Sequence, residues 1–165
     1  MKIREFLPSD AERIISWIDN EREFRTWSAD RYDRYPAVAE DIIRQYSGCL
    51  EGGRFFPLTA IDENGETMGH FILRYPNADN SVMRLGFVIL DKSKRGKGIG
   101  CEMIGLAKKY ASEVLHAQKL TLGVFENNVA AVNCYAAAGF TPVGDSGTLE
   151  FFGEKWKCIE MEADL

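Results

Sequence analysis

Hydrophobic and polar residues alternate in several short stretches of the chain, and this alternation predicts its β-strands. A period of two is typical of a strand because successive side chains point to opposite faces of a sheet. Leu120, Leu122 and Val124, for example, fall on one face of such a stretch. Between two other stretches, Asn64-Gly65 is typical of a hairpin turn. The predicted strands are 2–7, 55–61, 67–74, 82–90, 120–125, 141–143 and 151–162.

A second pattern, with hydrophobic residues three and four positions apart, predicts helices. Ser9 and Glu12 form the capping-box pattern that begins a helix, and the isoleucines that follow would form its apolar face. Further helices are predicted from after Pro36 to about Tyr46, at 99–116 and at 129–138. From Trp17 to Tyr35 no regular period is found. The predicted inner face of the 99–116 helix consists of Met103, Ile104, Ala107, Ala111 and Val114.

The order of these elements, βααβββαβαββ, predicts one mixed α/β domain with one sheet over residues 1–165. Length and composition agree with this prediction, because 45% hydrophobic and 27% charged residues are typical of a globular domain. The net charge of −5 disfavours a nucleic-acid partner, since nucleic-acid-binding proteins usually carry an excess of basic residues.

The four cysteines stand singly, without the clustered ligands that a metal site needs. We therefore expect reduced, mostly buried thiols and no metal. The longest apolar stretch is far shorter than the ~20 residues of a membrane helix, and the first residues carry no apolar leader segment. These observations predict a cytoplasmic protein with no membrane partner. The cysteines are Cys49, Cys101, Cys134 and Cys158.

The candidate chemistry begins in the loop after the 82–90 strand. Residues 95–100 read Arg-Gly-Lys-Gly-Ile-Gly and lead into a helix, and Lys92, Lys94, Arg95 and Lys97 concentrate positive charge in an acidic chain. Glycines let backbone N–H groups converge, and a helix N-terminus carries partial positive charge. The loop therefore predicts a site for a diphosphate-bearing ligand. The alternative is a flexible turn with solvated lysines.

Two common phosphate-binding motifs are excluded at this loop. A P-loop starting at Gly96 would need Gly-Lys-Ser/Thr five residues later, where the chain has Cys101. The dinucleotide-binding fingerprint needs Gly-x-Gly-x-x-Gly, and Gly100 comes one residue too soon. The ligand is therefore expected to be of another class.

A second motif, residues 128–140, reads Asn-Val-Ala-Ala-Val-Asn-Cys-Tyr-Ala-Ala-Ala-Gly-Phe. Asn128 and Tyr135 would lie about two helical turns apart on one face, with the small Ala131 between them. Helix capping by Asn128 and Gly139 and a core position for Tyr135 are the structural alternatives. The 95–100 loop resembles the Arg/Gln-x-x-Gly-x-Gly/Ala motif of the GNAT family of N-acetyltransferases. Residues 128–140 resemble that family's Asn-x-x-Ala-x-x-x-Tyr-x-x-x-Gly-Phe pattern.

The resemblance implies a fold, a reaction and a set of site residues. The fold is α/β (α+β), with a single mixed, mainly antiparallel central sheet flanked by helices, as in acyl-CoA N-acyltransferases. The reaction is acetyl transfer from acetyl-CoA to a primary amine by direct attack in a ternary complex, with Tyr135 protonating the departing CoA sulfur as general acid. The implied cofactor-binding residues are Val88, Ile89, Leu90, Arg95, Gly96, Lys97, Gly98, Ile99, Gly100, Asn128 and Tyr135.

The fourth strand supplies no general base. Many members of the family place a glutamate there, where this chain has Arg84. Glu126, after the fifth strand, and His70, on the third, are the candidates. A solvated loop acid and a buried strand histidine are the respective alternatives, and a water chain could replace both. Cys134 adjoins Tyr135 but would point about 100° away from it on a helix, so we predict that it packs in the core.

Acidic and aromatic residues after the first helix are the candidates for acceptor binding. Glu21, Glu23, Trp27 and Tyr32 lie in the segment that usually contributes to the acceptor site of the family, and carboxylates beside aromatic rings suit a cationic amine. The alternative is a solvated loop with its aromatic rings in the core. The acceptor can be a small molecule or a peptide N-terminus, and the protein a monomer or homodimer. A non-catalytic acyl-CoA sensor is the alternative function.

Overall fold

The chain folds around one sheet, in a computed structural model that describes residues 1–165. The strands are β1 (Lys2–Glu5), β2 (Phe55–Ile61), β3 (Thr67–Arg74), β4 (Val82–Leu90), β5 (Lys119–Phe125), β6 (Thr141–Phe151) and β7 (Glu154–Asp164). The helices are α1 (Asp10–Ser16), α2 (Glu21–Ser28), α3 (Ala39–Leu50), α4 (Ile99–Glu113) and α5 (Val129–Ala137). The seven strands are ordered β1-β2-β3-β4-β5-β7-β6. All neighbours are antiparallel except β4 and β5, so the predicted mixed, mainly antiparallel sheet is confirmed.

Two hydrophobic clusters cover the two faces of the sheet. Along β3, Phe71 and Leu73 belong to the cluster that contains residues of α4 and α5. Ile72, which lies between them in the sequence, belongs to the cluster that contains residues of α1, α2 and α3. This alternation follows from the period of two in a strand. The sheet therefore separates the helices of the N-terminal segment from those that follow β4.

The parallel pair β4 and β5 separates after a short contact. Val82 to Arg84 pair with Lys119 to Thr121, and no further pairing follows although β4 continues to Leu90. On its other side, β4 shifts register against β3 near Phe87, whose φ of +48° is unusual for a residue with a side chain. The carboxyl half of β4 thus has no strand partner toward β5, and a cleft opens there.

The N-terminal segment differs most from the sequence prediction. Residues 21–28 form the helix α2, although the sequence shows no regular period there. The helix begins at this point because the Asn20 side chain caps it, accepting a hydrogen bond from the Glu23 amide at 2.9 Å. The predicted capping box at Ser9 is wrong, since its side chain makes no capping bond. Instead Asp10 accepts a hydrogen bond from the Leu7 amide at 2.8 Å.

Smaller differences concern the ends of elements and the cysteines. The helix predicted to reach 116 ends at Glu113, and Val114, predicted on its inner face, is exposed. His116 has a left-handed φ of +55°, which is incompatible with continuing the helix to that residue. The last two strands meet at a tight turn, Phe152-Gly153, with φ values of +57° and +73°, so β6 is longer than predicted.

Cys49 is exposed and the other three cysteines are partly exposed, which corrects the prediction of mostly buried thiols. None of the helices is long and apolar enough to span a membrane.

Candidate active site

A cleft of about 970 Å³ opens beside the carboxyl half of β4. One wall comes from the end of β4, the glycine-rich loop and helices α4 and α5. The opposite wall comes from the α1–α2 segment and from Trp156 on β7. The two motifs recognised in the sequence therefore lie on one wall of a single cleft. Of the implied cofactor-binding residues, those that line it are Val88, Ile89, Leu90, Arg95, Gly96, Gly98, Gly100, Asn128 and Tyr135.

The glycine-rich loop has the geometry of an anion site. Gly96 and Gly98 have φ values of +74° and +77°, and no atom lies within 4 Å of the position that a Cβ would take at either residue. Gly98 also caps α4, so the free amides of the first helical turn open at the loop. Arg95 lines the cleft and is held in place by its hydrogen bond to the Trp17 carbonyl at 2.9 Å. These donors and this charge fit a diphosphate.

Two residues of the loop motif do not line the cleft. Lys97 is exposed, and its ammonium group donates a hydrogen bond to the Ser93 carbonyl at 2.9 Å. Ile99, the first residue of α4, is also absent from the lining. The motif therefore contributes to the cleft through its glycines and Arg95.

Asn128 and Tyr135 lie on the cleft face of α5, as their spacing predicts. Asn128 caps the helix, because its side-chain oxygen accepts a hydrogen bond from the Ala131 amide at 3.3 Å. Tyr135 is buried, with its ring centroid 6.0 Å from that of Phe140, and its hydroxyl makes no hydrogen bond with the protein. Burial raises the pKa of Tyr135, so the phenol keeps its proton at neutral pH. Tyr135 therefore belongs to the core and also lines the cleft with a protonated hydroxyl.

Cys101 and Cys134 bring α4 and α5 together within this wall. Their Sγ atoms lie 3.0 Å apart, and both residues line the cleft. Burial raises the pKa of the Cys134 thiol to about 12, with a further contribution from the Cys101 hydrogen bond. Cys134 is therefore protonated at neutral pH and unsuited to nucleophilic attack, but it reaches the cleft rather than only the core.

None of the residues considered for the general base reaches the cleft. Glu126 is exposed and does not line the cleft, and its amide donates to the Lys157 carbonyl at 2.9 Å, which continues the β5–β7 ladder. His70 is fully buried and bonded to the Tyr46 hydroxyl at 2.8 Å. Arg84 holds Glu160 through two hydrogen bonds of 2.7 and 2.9 Å. The prediction of Glu126 as a base is therefore not supported by the geometry.

The predicted acceptor residues divide into two groups. Glu23 and Trp27 line the cleft. Tyr32 is buried behind them, with its ring stacked on that of Trp27 at 6.0 Å and 18°, and it borders a separate, smaller hollow. Glu21 pairs with Arg25 at 3.4 Å and does not line the cleft. Tyr32 and Glu21 therefore do not line the cleft, because one fills the core under α2 and the other lies outside the cleft wall.

Several lining residues were not predicted, although the helical period could have revealed some of them. Met103 and Ile104 follow Gly100 by three and four positions and therefore share its face of α4. Asn127 precedes the capping Asn128 and also lines the cleft. The signal for these residues is their spacing from the motif glycines and asparagine.

The acidic residues of the α1–α2 segment are largely paired with cations. Asp19 forms an ion pair with Lys92 of the loop before α4, and Glu23 lies 3.8 Å from Arg95. Glu154, the first residue of β7, pairs with Arg22. The acidic rim expected from the sequence is therefore partly neutralised, and Glu23 is the one carboxylate in the lining.

The sheet, the glycine-rich loop and the paired motifs of this cleft define an acyl-CoA-dependent N-acetyltransferase. The model of the GNAT acetyltransferase family matches residues 13–140. The "Probable spermine N(1)-acetyltransferase" of Bacillus subtilis subsp. natto (strain BEST195) is 35% identical over 121 residues, which is 68% of this chain and 78% of that protein. The spermine/spermidine N(1)-acetyltransferase of Bacillus subtilis (strain 168) is 33% identical over 121 residues, with the same shares of 68% and 78%.

Among solved structures, the spermidine N-acetyltransferase of Vibrio cholerae in complex with CoA and spermine has a TM-score of 0.82 at 21% identity, over 99% of this chain and 94% of that chain. This chain belongs to the GNAT acetyltransferase family and is an N-acetyltransferase that uses acetyl-CoA. These relatives are named as enzymes, which does not support the alternative of a non-catalytic sensor.

Proposed function

We propose that this N-acetyltransferase acetylates a primary amine of a polyamine such as spermine or spermidine. The observation that carries the proposal is the 35% identity, over 121 residues, to the probable spermine N(1)-acetyltransferase. The cleft is chemically compatible with such an acceptor, because the Glu23 carboxylate and the Trp27 and Trp156 rings line the wall opposite the cofactor motifs. A carboxylate beside aromatic faces attracts an ammonium group.

The wall that carries both motifs would hold acetyl-CoA. The amides of the glycine-rich loop and Arg95 would bind the pyrophosphate. The backbone of residues 88–90, which has no strand partner toward β5, would bind the pantetheine arm. When bound, acetyl-CoA supplies the acetyl thioester. Small residues on the cleft face of α5, Ala130 and Ala131, leave room for a thin ligand.

The remaining steps fall to side chains of the cleft. Glu23 would hold the acceptor by its ammonium group, and the amine would lose its proton to water before it attacks the thioester carbonyl. An alkylamine has an ordinary pKa of about 10.4, so the wall of aromatic residues favours the neutral form that attacks. The nitrogen that has attacked carries one proton too many for an amide and would lose it to water. Tyr135 would donate its phenolic proton to the departing sulfur and then regain a proton from water. Tyr135 lines the cleft, and its hydroxyl has no hydrogen bond that would compete with this role.

The experiment is an assay of CoA release with purified protein and a panel of amines. The panel contains spermine, spermidine, 1,4-diaminobutane, a monoamine and a peptide with a free N-terminus, with a control that lacks amine. Polyamines should give the highest kcat/KM, and mass spectrometry of the product should find the acetyl group on a terminal nitrogen. A peptide or monoamine with a higher kcat/KM would refute the polyamine assignment while leaving the acetyltransferase class intact.

A further inference from the structure

The guanidinium group of Arg22 occupies a cage that is suited to a cation. Its two terminal nitrogens donate to the two carboxylate oxygens of Glu154 at 3.0 and 2.8 Å. Its central carbon lies 5.2 Å from the ring centroid of Phe152 and 5.3 Å from that of Trp156. A carboxylate and two aromatic rings therefore surround one positive charge. This is the environment in which proteins bind ammonium groups.

The turn between β6 and β7 builds the cage. Phe152 and Gly153 both have positive φ, as in the tight turns that suit a hairpin, and a phenylalanine in this conformation is uncommon. The Trp156 indole N–H donates to Glu154 at 3.1 Å and so orients the carboxylate. Hydrogen bonds from Arg22 and then from Trp156 lower the pKa of Glu154 to about 2, so the carboxylate is charged at neutral pH. Without Arg22, the cage would keep the Glu154 carboxylate and its hydrogen bond from the Trp156 indole.

The cage adjoins the cleft at Arg22 and Trp156, which line the same cleft as Tyr135, whereas Glu154 and Phe152 lie outside its lining. Phe152 is 50% exposed, so the outer side of the cage faces solvent. The side chains of Arg22 and Glu154 are each 52% exposed. Because an ion pair this exposed contributes little to stability, a cation from solution can take the place of the guanidinium.

We propose that Glu154, Phe152 and Trp156 form the subsite for a second, non-reacting ammonium group of the acceptor, and that Arg22 competes with the acceptor for this cage. The inference rests on the proposed function, because it requires an acceptor with more than one cationic group. Arg22 then makes the enzyme discriminate between acceptors with one ammonium group and acceptors with two or more. It leaves a monoamine unaffected, and it weakens the binding of every acceptor whose second ammonium group must displace it.

A purely structural role for the ion pair predicts a different outcome. If Arg22 and Glu154 only fasten α2 to the β6–β7 turn, removal of either partner breaks the same link and shifts the KM for the acceptor in the same direction. If Arg22 is a competitor, the two substitutions have opposite signs. Arg22→Ala frees the cage, and Glu154→Gln removes its charge.

The test compares 1,4-diaminobutane with butylamine as acceptors. Arg22→Ala should lower the KM for the diamine about threefold to tenfold, and Glu154→Gln should raise it by a similar factor, as expected for one exposed cation–π and ion-pair site. The KM for butylamine should change less than about twofold in both variants. Arg13→Ala and Glu66→Gln are matched controls, because this ion pair on α1 and the β2–β3 turn is also exposed, at 64% and 72%. Neither control should change the KM for the diamine.

Shifts of the diamine KM in the same direction in both variants, or equal shifts for butylamine, would overturn the proposal. Titration of spermine against tryptophan fluorescence provides a readout without turnover, because Trp156 belongs to the cage. If polyamines are not acetylated but spermine binding tightens in Arg22→Ala and weakens in Glu154→Gln, the proposed function fails and the cage stands. If polyamines are acetylated and the two variants shift binding alike, the cage fails and the proposed function stands.

Discussion

The Sγ atoms of Cys101 and Cys134 lie 3.0 Å apart and join the first turn of α4 to α5 in the wall of the cleft. The contact connects the helix that follows the glycine-rich loop with the helix that carries Asn128 and Tyr135. A Cβ atom at Gly100 would stand 3.6 Å from the same Cys134 sulfur. The two motifs therefore meet at this pair of thiols, on the surface that acetyl-CoA would cover.

This position makes the Cys101 thiol a reporter of cofactor binding. Saturating acetyl-CoA should slow the alkylation of Cys101 by iodoacetamide, because Cys101 lines the cleft, whereas the protonated Cys134 thiol should react slowly with and without acetyl-CoA. The exposed Cys49 should react at the same rate with and without acetyl-CoA. Peptide mass spectrometry over a time course measures the three rates in one sample. Equal protection of Cys49, or no protection of Cys101, would contradict the assignment of this wall to the cofactor.

Gly98→Asp should abolish the binding of acetyl-CoA. Gly98 has a left-handed φ of +77° and faces open space, so the new side chain would place a negative charge in the phosphate site. Wild-type protein at acetyl-CoA a hundredfold above its dissociation constant should gain about 2.7 kcal/mol of stability. Thermal unfolding with and without acetyl-CoA measures this gain, and the variant should show none. Gly105→Asp, at an exposed position of α4, is the control that should keep the shift.

Tyr135→Phe should lower turnover without a comparable loss of acetyl-CoA affinity. The substitution removes a hydroxyl that has no hydrogen bond in the protein and keeps the buried ring. A loss of kcat on the order of 10²-fold is expected for a general acid. Tyr110→Phe, a tyrosine of α4 outside the cleft lining, should retain wild-type kcat. Wild-type turnover in Tyr135→Phe would leave Tyr135 with a packing role alone.

Substitutions of Glu23 and Glu21 should differ in their effect on the KM for the acceptor amine. Glu23 lines the cleft, whereas Glu21 pairs with Arg25 outside it. Glu23→Gln should raise the KM for the amine about tenfold, as the loss of one charge contact implies, and Glu21→Gln should leave it within about twofold. Steady-state kinetics at a fixed acetyl-CoA concentration provides both values. Similar KM changes in the two variants would show that the segment acts through its overall charge.

His70 should make the protein less stable as the pH falls below about 6.5. Burial lowers the pKa of His70 to about 3, so between these values the unfolded chain binds a proton that the folded chain does not. The free energy of unfolding therefore decreases as the pH falls through this window. With ~1.36 kcal/mol for each pKa unit, the loss between pH 6.5 and pH 5 is about 2 kcal/mol. Urea unfolding at pH 7 and pH 5 measures it.

The control for this pH dependence is His70→Gln, which removes the titrating group. The variant should lose less stability between pH 7 and pH 5 than the wild type, whatever its stability at pH 7. Asp10, whose pKa is lowered mainly by its Arg4 hydrogen bond against the opposing effect of burial, contributes stability that is lost only at more acidic pH. The same dependence on pH in both proteins would show that another group is responsible.

The sequence predicted the wall of the cleft whose residues belong to two motifs that are each continuous in the chain. The loop of Gly96 and Gly98 and the helix of Asn128 and Tyr135 each carry their geometry locally, through left-handed glycines, a cap and the helical period. The acceptor half could not be predicted in the same way. It brings Glu23 together with Trp156, and only the sheet order places residues so distant in sequence on one cleft.

Helix α2 was not predicted because its sequence carries little hydrophobic pattern. Within α2 the buried residues are Phe24 and Ser28, and charged residues fill most of the other positions, so no apolar period could be seen. The sequence gives the neighbourhood of a side chain but not its direction, so it did not show that Tyr32 and Glu126 lie outside the cleft lining. The Tyr32 ring packs against Trp27 in the core, and Glu126 is exposed beside the end of β5.

The two walls of the cleft come from different stretches of the chain. Residues between Val88 and Tyr135 form the wall proposed here for acetyl-CoA, the cofactor wall, whereas α2 and Trp156 form most of the wall opposite. A mutation in α2 or in the Phe152-Gly153 turn can therefore change which amine is accepted without altering a residue of the cofactor wall. During evolution, such a protein can acquire new acceptors through changes in one short helix and one turn, while its descendants inherit the chemistry of acetyl-CoA unchanged.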